Sequence, residues 1–168
     1  MEFYLDCLEQ LFVYGTLRPS RPDVSSDASR FYSQIARYVY AATPASLPEA
    51  ELYDCGRYPA ARPGRGVVRG DLLTIAPAAL AVADHIEGHP DFFRRSRVTV
   101  QTAAGSTPAW VYWAPEKFAT GRPRIVSGDW FDRATQSQDS MQNTLTSDAR
   151  LGQPPAMALL GHVFDDII

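Results

Sequence analysis

Few side chains in this sequence have the type and spacing that enzyme chemistry usually requires. There is no GxSxG nucleophile elbow, no GxxxxGK[ST] phosphate-binding loop and no GxGxxG fingerprint. Cys7 and Cys55 have no close cysteine or histidine companion, which argues against a disulfide framework and a metal site. His85 and His89 are four residues apart, but a glycine and a proline interrupt any helix around them. The sequence therefore predicts neither a metal nor a cofactor.

One carboxylate stands in an unusual position. Glu87 lies at the end of a predicted helix, directly before Gly88. The helix macrodipole disfavours a negative charge there, by about 0.3–1 kcal/mol at an exposed site, so it raises the pKa of the carboxyl, as burial also does. A glutamate with a raised pKa transfers protons well near neutral pH, which makes Glu87 a candidate general acid/base. The alternative is a solvated glutamate at a fraying helix end.

The helix that positions Glu87 is predicted over residues 76–86. Pro77 suits the first turn of a helix, and Gly88 suits its C-terminal stop. Apolar residues recur at near-helical spacing along this segment, at Leu80, Ala83 and Ile86. It is the one helix predicted among the strands.

Short strands are predicted on both sides of this helix. The apolar run Leu11–Tyr14 reads as a buried strand that Gly15 ends. Four further segments have strand-forming residues: 31–42, 67–75, 98–102 and 109–113. Gly70 indicates a bulge or a close backbone approach, and Gly105 indicates a hairpin turn between the last two strands.

The order of the elements predicts the fold class. Residues 18–29 are rich in proline, serine and aspartate and are predicted to form a loop, whereas residues 44–63 are punctuated by proline and glycine and are assigned neither helix nor strand. Strands do not alternate with helices, which disfavours a doubly wound parallel sheet. We therefore expect an α+β protein, a small mixed β-barrel with flanking helices.

The composition excludes several function classes. The net charge of the 168 residues is −3 and there is no lysine- or arginine-rich run, so nucleic-acid binding is not indicated. No apolar stretch approaches the ~20 residues that span a bilayer, so no membrane association is predicted. Glu2 and Asp6 occupy the N-terminus, where a signal peptide has basic residues. A cytoplasmic location is the resulting expectation.

The sequence divides into a domain at residues 9–133 and a C-terminal tail at 134–168. The tail is first polar and then apolar, from Met157 to Ile168. Its last part has an amphipathic stripe at Leu160, Val163, Phe164 and Ile167. A helix this short is marginal alone, so we expect it to dock on its own barrel or on a second copy, which would make a homo-oligomer.

Several short motifs, taken in order, resemble those of the γ-glutamylcyclotransferase-like family. Val13–Leu17 is similar to its YG[ST]L signature, and Asp84–Gly88 resembles its LDxxEG segment. Further matches follow the order of bacterial members: Ala50–Pro59, Val68–Leu72, the YxR position at Phe93 to Arg95, and Ile125–Trp130. Each motif alone is weak, but their joint order from about residue 11 to 133 is a strong signal.

The resemblance implies a fold, a reaction and a set of site residues. It implies a small β-barrel in which a loop binds the γ-glutamyl group of a small-molecule substrate through backbone groups; that loop corresponds here to Tyr14, Gly15, Thr16 and Leu17. It gives Glu87 the acid/base role. The α-amine of the substrate attacks its own γ-carbonyl and forms 5-oxoproline, so the enzyme needs no nucleophile or metal of its own.

The sequence departs from the family pattern in three places. Ala83 replaces the leucine of LDxxEG, Phe93 replaces the tyrosine of YxR, and residues 134–168 match no part of the pattern. The last two departures keep a second interpretation open. A non-catalytic small-molecule-binding or protein-interaction module on the same fold is therefore the alternative. Within the enzyme class, glutathione, γ-glutamyl amino acids, γ-glutamyl-lysine and a γ-glutamylated biosynthetic intermediate all remain candidate substrates.

Other functional-looking residues are interpreted as structural. The basic residues near Glu87 are predicted to form a solvated strand face (Arg94, Arg95 and Arg97). The three tryptophans are predicted to pack in the core or at the barrel rim (Trp110, Trp113 and Trp130). Tyr58 and Tyr112 are weaker candidates for lining a pocket.

Overall fold

The computed structural model describes residues 7–133, which form a closed barrel flanked by short helices. The strands are β1 Glu9–Val13, β2 Val39–Asp54, β3 Pro59–Ile75, β4 Arg94–Thr102 and β5 Gly105–Trp113. The helices are α1 Tyr32–Ile35, α2 Ala78–Glu87 and α3 Glu116–Ala119. The strand order is β1-β3-β2-β4-β5, with β1 and β5 parallel and the other pairs antiparallel. The predicted mixed β-barrel is confirmed.

The second half of β1, Leu11 to Val13, is apolar because both of its faces are buried there. Phe12 packs in the cluster that contains Trp130, whereas Leu11 and Val13 pack in a second cluster with residues of α1 and α2. Successive side chains of a strand point to opposite faces, so a strand covered on both sides needs apolar residues at every position. The LFVY run predicted this strand for that reason.

The long hairpin of β2 and β3 differs from the sequence prediction. Residues 44–63 were assigned neither helix nor strand from the sequence, yet most of them continue the two strands. Pro44 and Pro48 are tolerated because β2 pairs with β4 only at Ala45 and Ser46, so its second edge is largely free. A register shift lies between Pro48 and Ala50, where Glu49 has a φ of 55°.

The predicted strand at 31–42 is wrong for its first half. Residues 32–38 form α1 followed by the 3₁₀ turn Ala36–Tyr38, and the strand begins only at Val39. The aromatic residues that suggested a strand instead pack around the buried Ile35 (Phe31, Tyr32 and Tyr38). Burial in the tertiary structure decides this segment over its β propensity.

Helix α2 ends as the sequence predicts. Gly88 adopts the left-handed conformation, φ 61°, and His89 N–H donates to the Asp84 carbonyl oxygen at 2.9 Å. Pro77 is the residue immediately before the helix. Ala79, Leu80 and Ala83 are buried against the barrel, which fixes the orientation of the helix end.

Other local predictions are confirmed. Gly105, φ 118°, begins β5 at the β4–β5 hairpin. A Cβ on Gly70 would collide with the Val13 carbonyl oxygen, which is the predicted close backbone approach. Trp130 is fully buried in the core, whereas Trp110 and Trp113 are partly buried.

The predicted tail at 134–168, with its docking helix at Met157–Ile168, lies outside the described residues. Among the helices between residues 7 and 133, none has the length and apolar character needed to cross a membrane.

Candidate active site

A cavity of about 460 Å³ opens beside the end of β1. Its wall includes all five residues proposed from the sequence: Tyr14, Gly15, Thr16, Leu17 and Glu87. The first four follow β1 and Glu87 ends α2, so the barrel and the packed helix bring together two segments that are far apart in the sequence. Pockets of this size typically hold small organic ligands.

The turn after β1 lines the cavity and contains backbone N–H groups that have no partner among the described residues. Arg18 N–H donates to the Gly15 carbonyl oxygen at 3.0 Å, and Phe31 N–H donates to the Thr16 carbonyl oxygen at 3.1 Å. Within residues 7–133, the N–H groups of Gly15, Thr16 and Leu17 donate to no main-chain or side-chain acceptor. Successive free N–H groups in a turn form a site that suits an anion or a carbonyl oxygen.

Gly15 is needed in this turn for packing. A Cβ at this position would lie 2.5 Å from Cγ and 2.8 Å from Cδ of Pro59, which is itself buried. The ring of a buried proline has little freedom to move away, so a larger residue would displace the turn. Gly15 therefore allows the turn to pack directly against Pro59.

Glu87 is half-buried and lines the cavity. Burial raises the pKa of its carboxyl to about 7. No described residue donates a hydrogen bond to the carboxylate, so nothing in residues 7–133 offsets the cost of ionising it in this position. The direction agrees with the sequence argument, and burial is the physical cause.

Tyr14 has a structural hydrogen bond rather than a free hydroxyl. Its O–H donates to the carbonyl oxygen of Tyr112 at 2.5 Å, and both side chains are buried. Burial, and then the negative charge of Glu87, raises the pKa of Tyr14 well above its ordinary value. The phenol therefore remains protonated and holds the turn against β5.

An ion pair anchors α2 one turn before Glu87. Arg95 Nε and Nη2 donate to the two oxygens of Asp84 at 2.8 and 2.9 Å, and Tyr112 O–H donates to Asp84 Oδ1 at 2.7 Å. Burial alone would raise the pKa of Asp84, but the hydrogen bonds from Arg95 and Tyr112 outweigh it and keep that pKa below its ordinary value. The acidic residue of the LDxxEG-like segment thus attaches the helix to β4 and β5.

The basic cluster near Glu87 is only partly the solvated face that the sequence predicted. Arg95 is four-fifths buried in its ion pair, and its guanidinium lies 4.5 Å from the centre of the Trp110 ring. Arg97 covers the same ring at 4.3 Å and pairs with Glu9 at 2.8 Å. Arg94 is exposed, as expected. The solvated prediction is therefore wrong for Arg95.

A buried ionic network behind the turn was not foreseen from the sequence. Arg18, only 1% exposed, donates from Nε to Asp71 Oδ2 at 2.7 Å and from Nη1 to Asp129 Oδ1 at 2.6 Å. The Phe131 ring lies 4.0 Å from its guanidinium carbon. In the sequence, the one feature that Asp71 and Asp129 share is that each follows a glycine. Both lie in segments that had been singled out for the family resemblance, Val68–Leu72 and Ile125–Trp130. This network ties the turn to β3 and to the segment before Trp130.

The rest of the cavity wall is mainly aromatic. We define the aromatic wall as Tyr58, Phe92, Phe93 and Phe118, all of which line the cavity. Tyr112 also lines it, so both tyrosines considered from the sequence do so. Between residues 7 and 133, no group of three or more histidine, cysteine, aspartate or glutamate side chains is arranged to hold a metal ion.

Comparison with known proteins identifies relatives of the chain. Residues 11–132 match the family model described as "Gamma-glutamyl cyclotransferase, AIG2-like". The chain is 32% identical, over 124 residues, to the Escherichia coli (strain K12) gamma-glutamylcyclotransferase family protein YtfP, covering 74% of this chain and 97% of that protein.

Solved structures share the fold. A mouse AIG2-like protein aligns with a TM-score of 0.53 and 22% identity over 69% of this chain and 84% of its own. Bacillus subtilis YkqA aligns with a TM-score of 0.58 and 20% identity over 79% of this chain and 43% of its own.

Proposed function

The chain belongs to the gamma-glutamyl cyclotransferase, AIG2-like family, and on this premise we propose that it is a γ-glutamylcyclotransferase-type enzyme. It would convert the γ-glutamyl group of a γ-glutamyl amine or γ-glutamyl amino acid to 5-oxoproline and release the amine. The observation that supports this most is Glu87, whose pKa of about 7 suits proton transfer, on the wall of the cavity that the Gly15–Leu17 turn also lines.

The proposed reaction moves two protons from the α-nitrogen of the substrate and needs no external nucleophile. The Glu87 carboxylate takes the first proton from the α-ammonium group. The freed amine attacks the γ-carbonyl carbon and forms a five-membered tetrahedral intermediate. The bond from that carbon to the amide nitrogen then breaks as Glu87 returns its proton to the leaving nitrogen, and the ring nitrogen passes its second proton to the released amine, which departs as an ammonium ion. A carboxyl with a pKa near 7 is suited to both directions of transfer.

The turn after β1 is proposed to hold the γ-glutamyl group. The free N–H groups of Gly15, Thr16 and Leu17 can donate to its α-carboxylate or to the carbonyl oxygen, where negative charge develops in the transition state. The substrate would thereby be kept folded, with its amine close to its own γ-carbonyl. Fixing that conformation is the main contribution that an enzyme makes to an intramolecular reaction.

The arrangement around the site supports a rigid scaffold for this chemistry. Asp84 and Arg95 fix the end of α2, and Arg18 fixes the turn through two carboxylates. The end of α2 and the turn after β1 are thus each held by side chains that do not line the cavity, and such support keeps a site in a precise geometry.

The direct test is to incubate the purified protein with a panel of γ-glutamyl amides and measure 5-oxoproline and the released amine by mass spectrometry. Equal amounts of both products are expected for at least one member. If ligands bind but none yields 5-oxoproline, the alternative of a non-catalytic binding module is correct and the enzyme proposal is wrong.

A further inference from the structure

The aromatic wall forms one continuous apolar surface within the cavity. The centre of the Phe93 ring lies 6.1 Å from that of Tyr58 and 6.0 Å from that of Phe118. The Phe92 ring is parallel to the Phe118 ring, with a distance of 6.4 Å between their centres. Tyr58 also meets Phe118 edge to face at 6.3 Å. These side chains come from three separate segments, so their assembly at one place is a property of the fold.

Two residues of the aromatic wall follow the proposed catalytic residue closely in the sequence. Phe92 and Phe93 follow Glu87 by five and six positions, and Phe93 N–H donates to the Glu87 carbonyl oxygen at 3.2 Å. Phe93 is buried, but Phe92 is 50% exposed although it is large and apolar. An apolar side chain left half in water at a cavity suits contact with an apolar ligand group.

The charged groups of the cavity disfavour a cationic ligand group. Glu87 supplies the one carboxylate among the described lining residues, and the proposed reaction uses it for the proton. Arg30 also lines the cavity, and no carboxylate of residues 7–133 lies within ion-pair distance of its guanidinium. A lysine or polyamine leaving group would therefore face the positive charge of Arg30, without a second carboxylate among the described lining residues to pair with it.

We infer that this site acts on γ-glutamyl amides whose leaving amine carries an aromatic or similarly large apolar group, which packs on the aromatic wall. The inference rests on the proposed function and narrows its substrate class. The glutamyl half lies at the Gly15–Leu17 turn, its amide nitrogen faces Glu87, and the apolar group extends along Phe92 and Phe118. Flat rings pack well in such a place because offset and edge-on aromatic contacts are both available.

The experiment compares four substrates that share the glutamyl half: γ-glutamylphenylalanine, γ-glutamylphenethylamine, γ-glutamylalanine and ε-(γ-glutamyl)lysine. Both phenyl compounds should exceed the alanine compound in kcat/KM by roughly 10- to 100-fold, from burial of the ring. The difference should lie mainly in KM, since the wall touches a group that does not react. The lysine compound should be the poorest.

The Phe92→Ala variant tests the wall without opening the core, because Phe92 is half-exposed. It should lower kcat/KM for the two phenyl compounds by roughly two- to tenfold more than for the alanine compound, which has no ring to pack on the wall. Tyr40→Ala is the matched control, since Tyr40 is 69% exposed and does not line the cavity. It should not change the ranking of the four substrates.

The outcomes separate this inference from the proposed function. Turnover of all four compounds at similar kcat/KM, or a preference for the lysine compound, would overturn the aromatic assignment and leave the cyclotransferase proposal standing. If no compound yields 5-oxoproline, the proposed function fails. Calorimetric binding to the wild-type protein then tests whether the aromatic wall binds the apolar group. Tighter binding of the phenyl compounds than of the alanine compound supports that role, and equal binding overturns it.

Discussion

Arg95 donates two parallel hydrogen bonds to Asp84, from Nε at 2.8 Å and from Nη2 at 2.9 Å, and so attaches β4 to the last turn of the helix that ends at Glu87. Two-pronged pairing of this kind fixes direction as well as distance. The proposed proton-transfer group therefore lies three residues beyond a fixed point on the barrel. Its position in the cavity depends on this ion pair although neither partner touches the proposed substrate.

Replacing Asp84 with asparagine should weaken both stability and turnover. The free energy of unfolding should fall by about 1–2 kcal/mol at pH 7, because Arg95 keeps its charge and loses its anion. The folded-state pKa of Asp84 is lowered, so its contribution is present above about pH 4 and is lost as pH falls through the folded pKa. Urea unfolding at pH 7 and pH 3 should show the gap between wild type and Asp84→Asn closing in acid.

A positioning role for Asp84 predicts that kcat falls while KM changes little. Arg94→Gln is a suitable control, because Arg94 is exposed and lies next to Arg95 without contacting Asp84. A variant that loses stability at pH 7 but retains full kcat would show that the ion pair supports the fold alone.

Replacing Glu87 with glutamine should keep the fold and remove most of the turnover. The change is nearly isosteric, but an amide cannot accept and return a proton, and acid–base groups typically contribute ~10²–10⁴-fold. Release of 5-oxoproline by the purified variant measures the loss. Glu116→Gln removes an exposed glutamate outside the cavity and should have no effect. A loss below tenfold for Glu87→Gln would mean that another group carries the proton.

The raised pKa of Glu87 predicts two pH effects. First, kcat/KM should rise with pH along an acidic limb whose midpoint is near 7, because the carboxylate is the form that accepts the proton. Second, the folded state binds this proton more tightly than the unfolded chain does. The resulting stabilisation is fully present below the ordinary pKa of 4.5 and is lost as pH rises through about 7.

Comparison with Glu87→Gln isolates both pH effects. The difference in unfolding free energy between wild type and variant should change by up to about 3 kcal/mol between pH 4.5 and pH 8, with wild type losing stability as pH rises. The residual activity of the variant should lack the limb near pH 7. A flat wild-type profile across this range would contradict the buried, proton-transferring role.

Replacing Arg18 with alanine should be the most destabilising of these changes. It would leave Asp71 and Asp129 without their shared cation, and breaking a buried ion pair from one side typically costs about 3–5 kcal/mol. Chemical denaturation measures the loss, with Arg69→Ala, an exposed arginine on β3, as the control. Arg18→Lys should recover only part of the stability, because an ammonium cannot match the forked geometry. Full stability of Arg18→Lys would show that charge alone suffices.

Short-range patterns in the sequence were enough to predict the local elements that carry the site. A glycine after Glu87 ends α2 because it adopts the left-handed conformation without steric cost, and Pro77 marks the start of that helix. The LFVY run predicted β1, and Gly105 predicted the β4–β5 hairpin. These features depend on residues within a few positions of one another, so they can be predicted from the sequence. The order of several short motifs added the family and the candidate residues.

How these elements meet, and how their surroundings change their chemistry, depends on the folded structure. It brought Glu87 to the cavity of the Gly15–Leu17 turn, and the surrounding burial set its pKa near 7. It extended β2 through Pro44 and Pro48, where the sequence indicated no strand. It also joined Arg18 to carboxylates 53 and 111 positions away. Burial and ion pairing depend on which distant residues become neighbours in space, and residue types and short spacings do not contain that information.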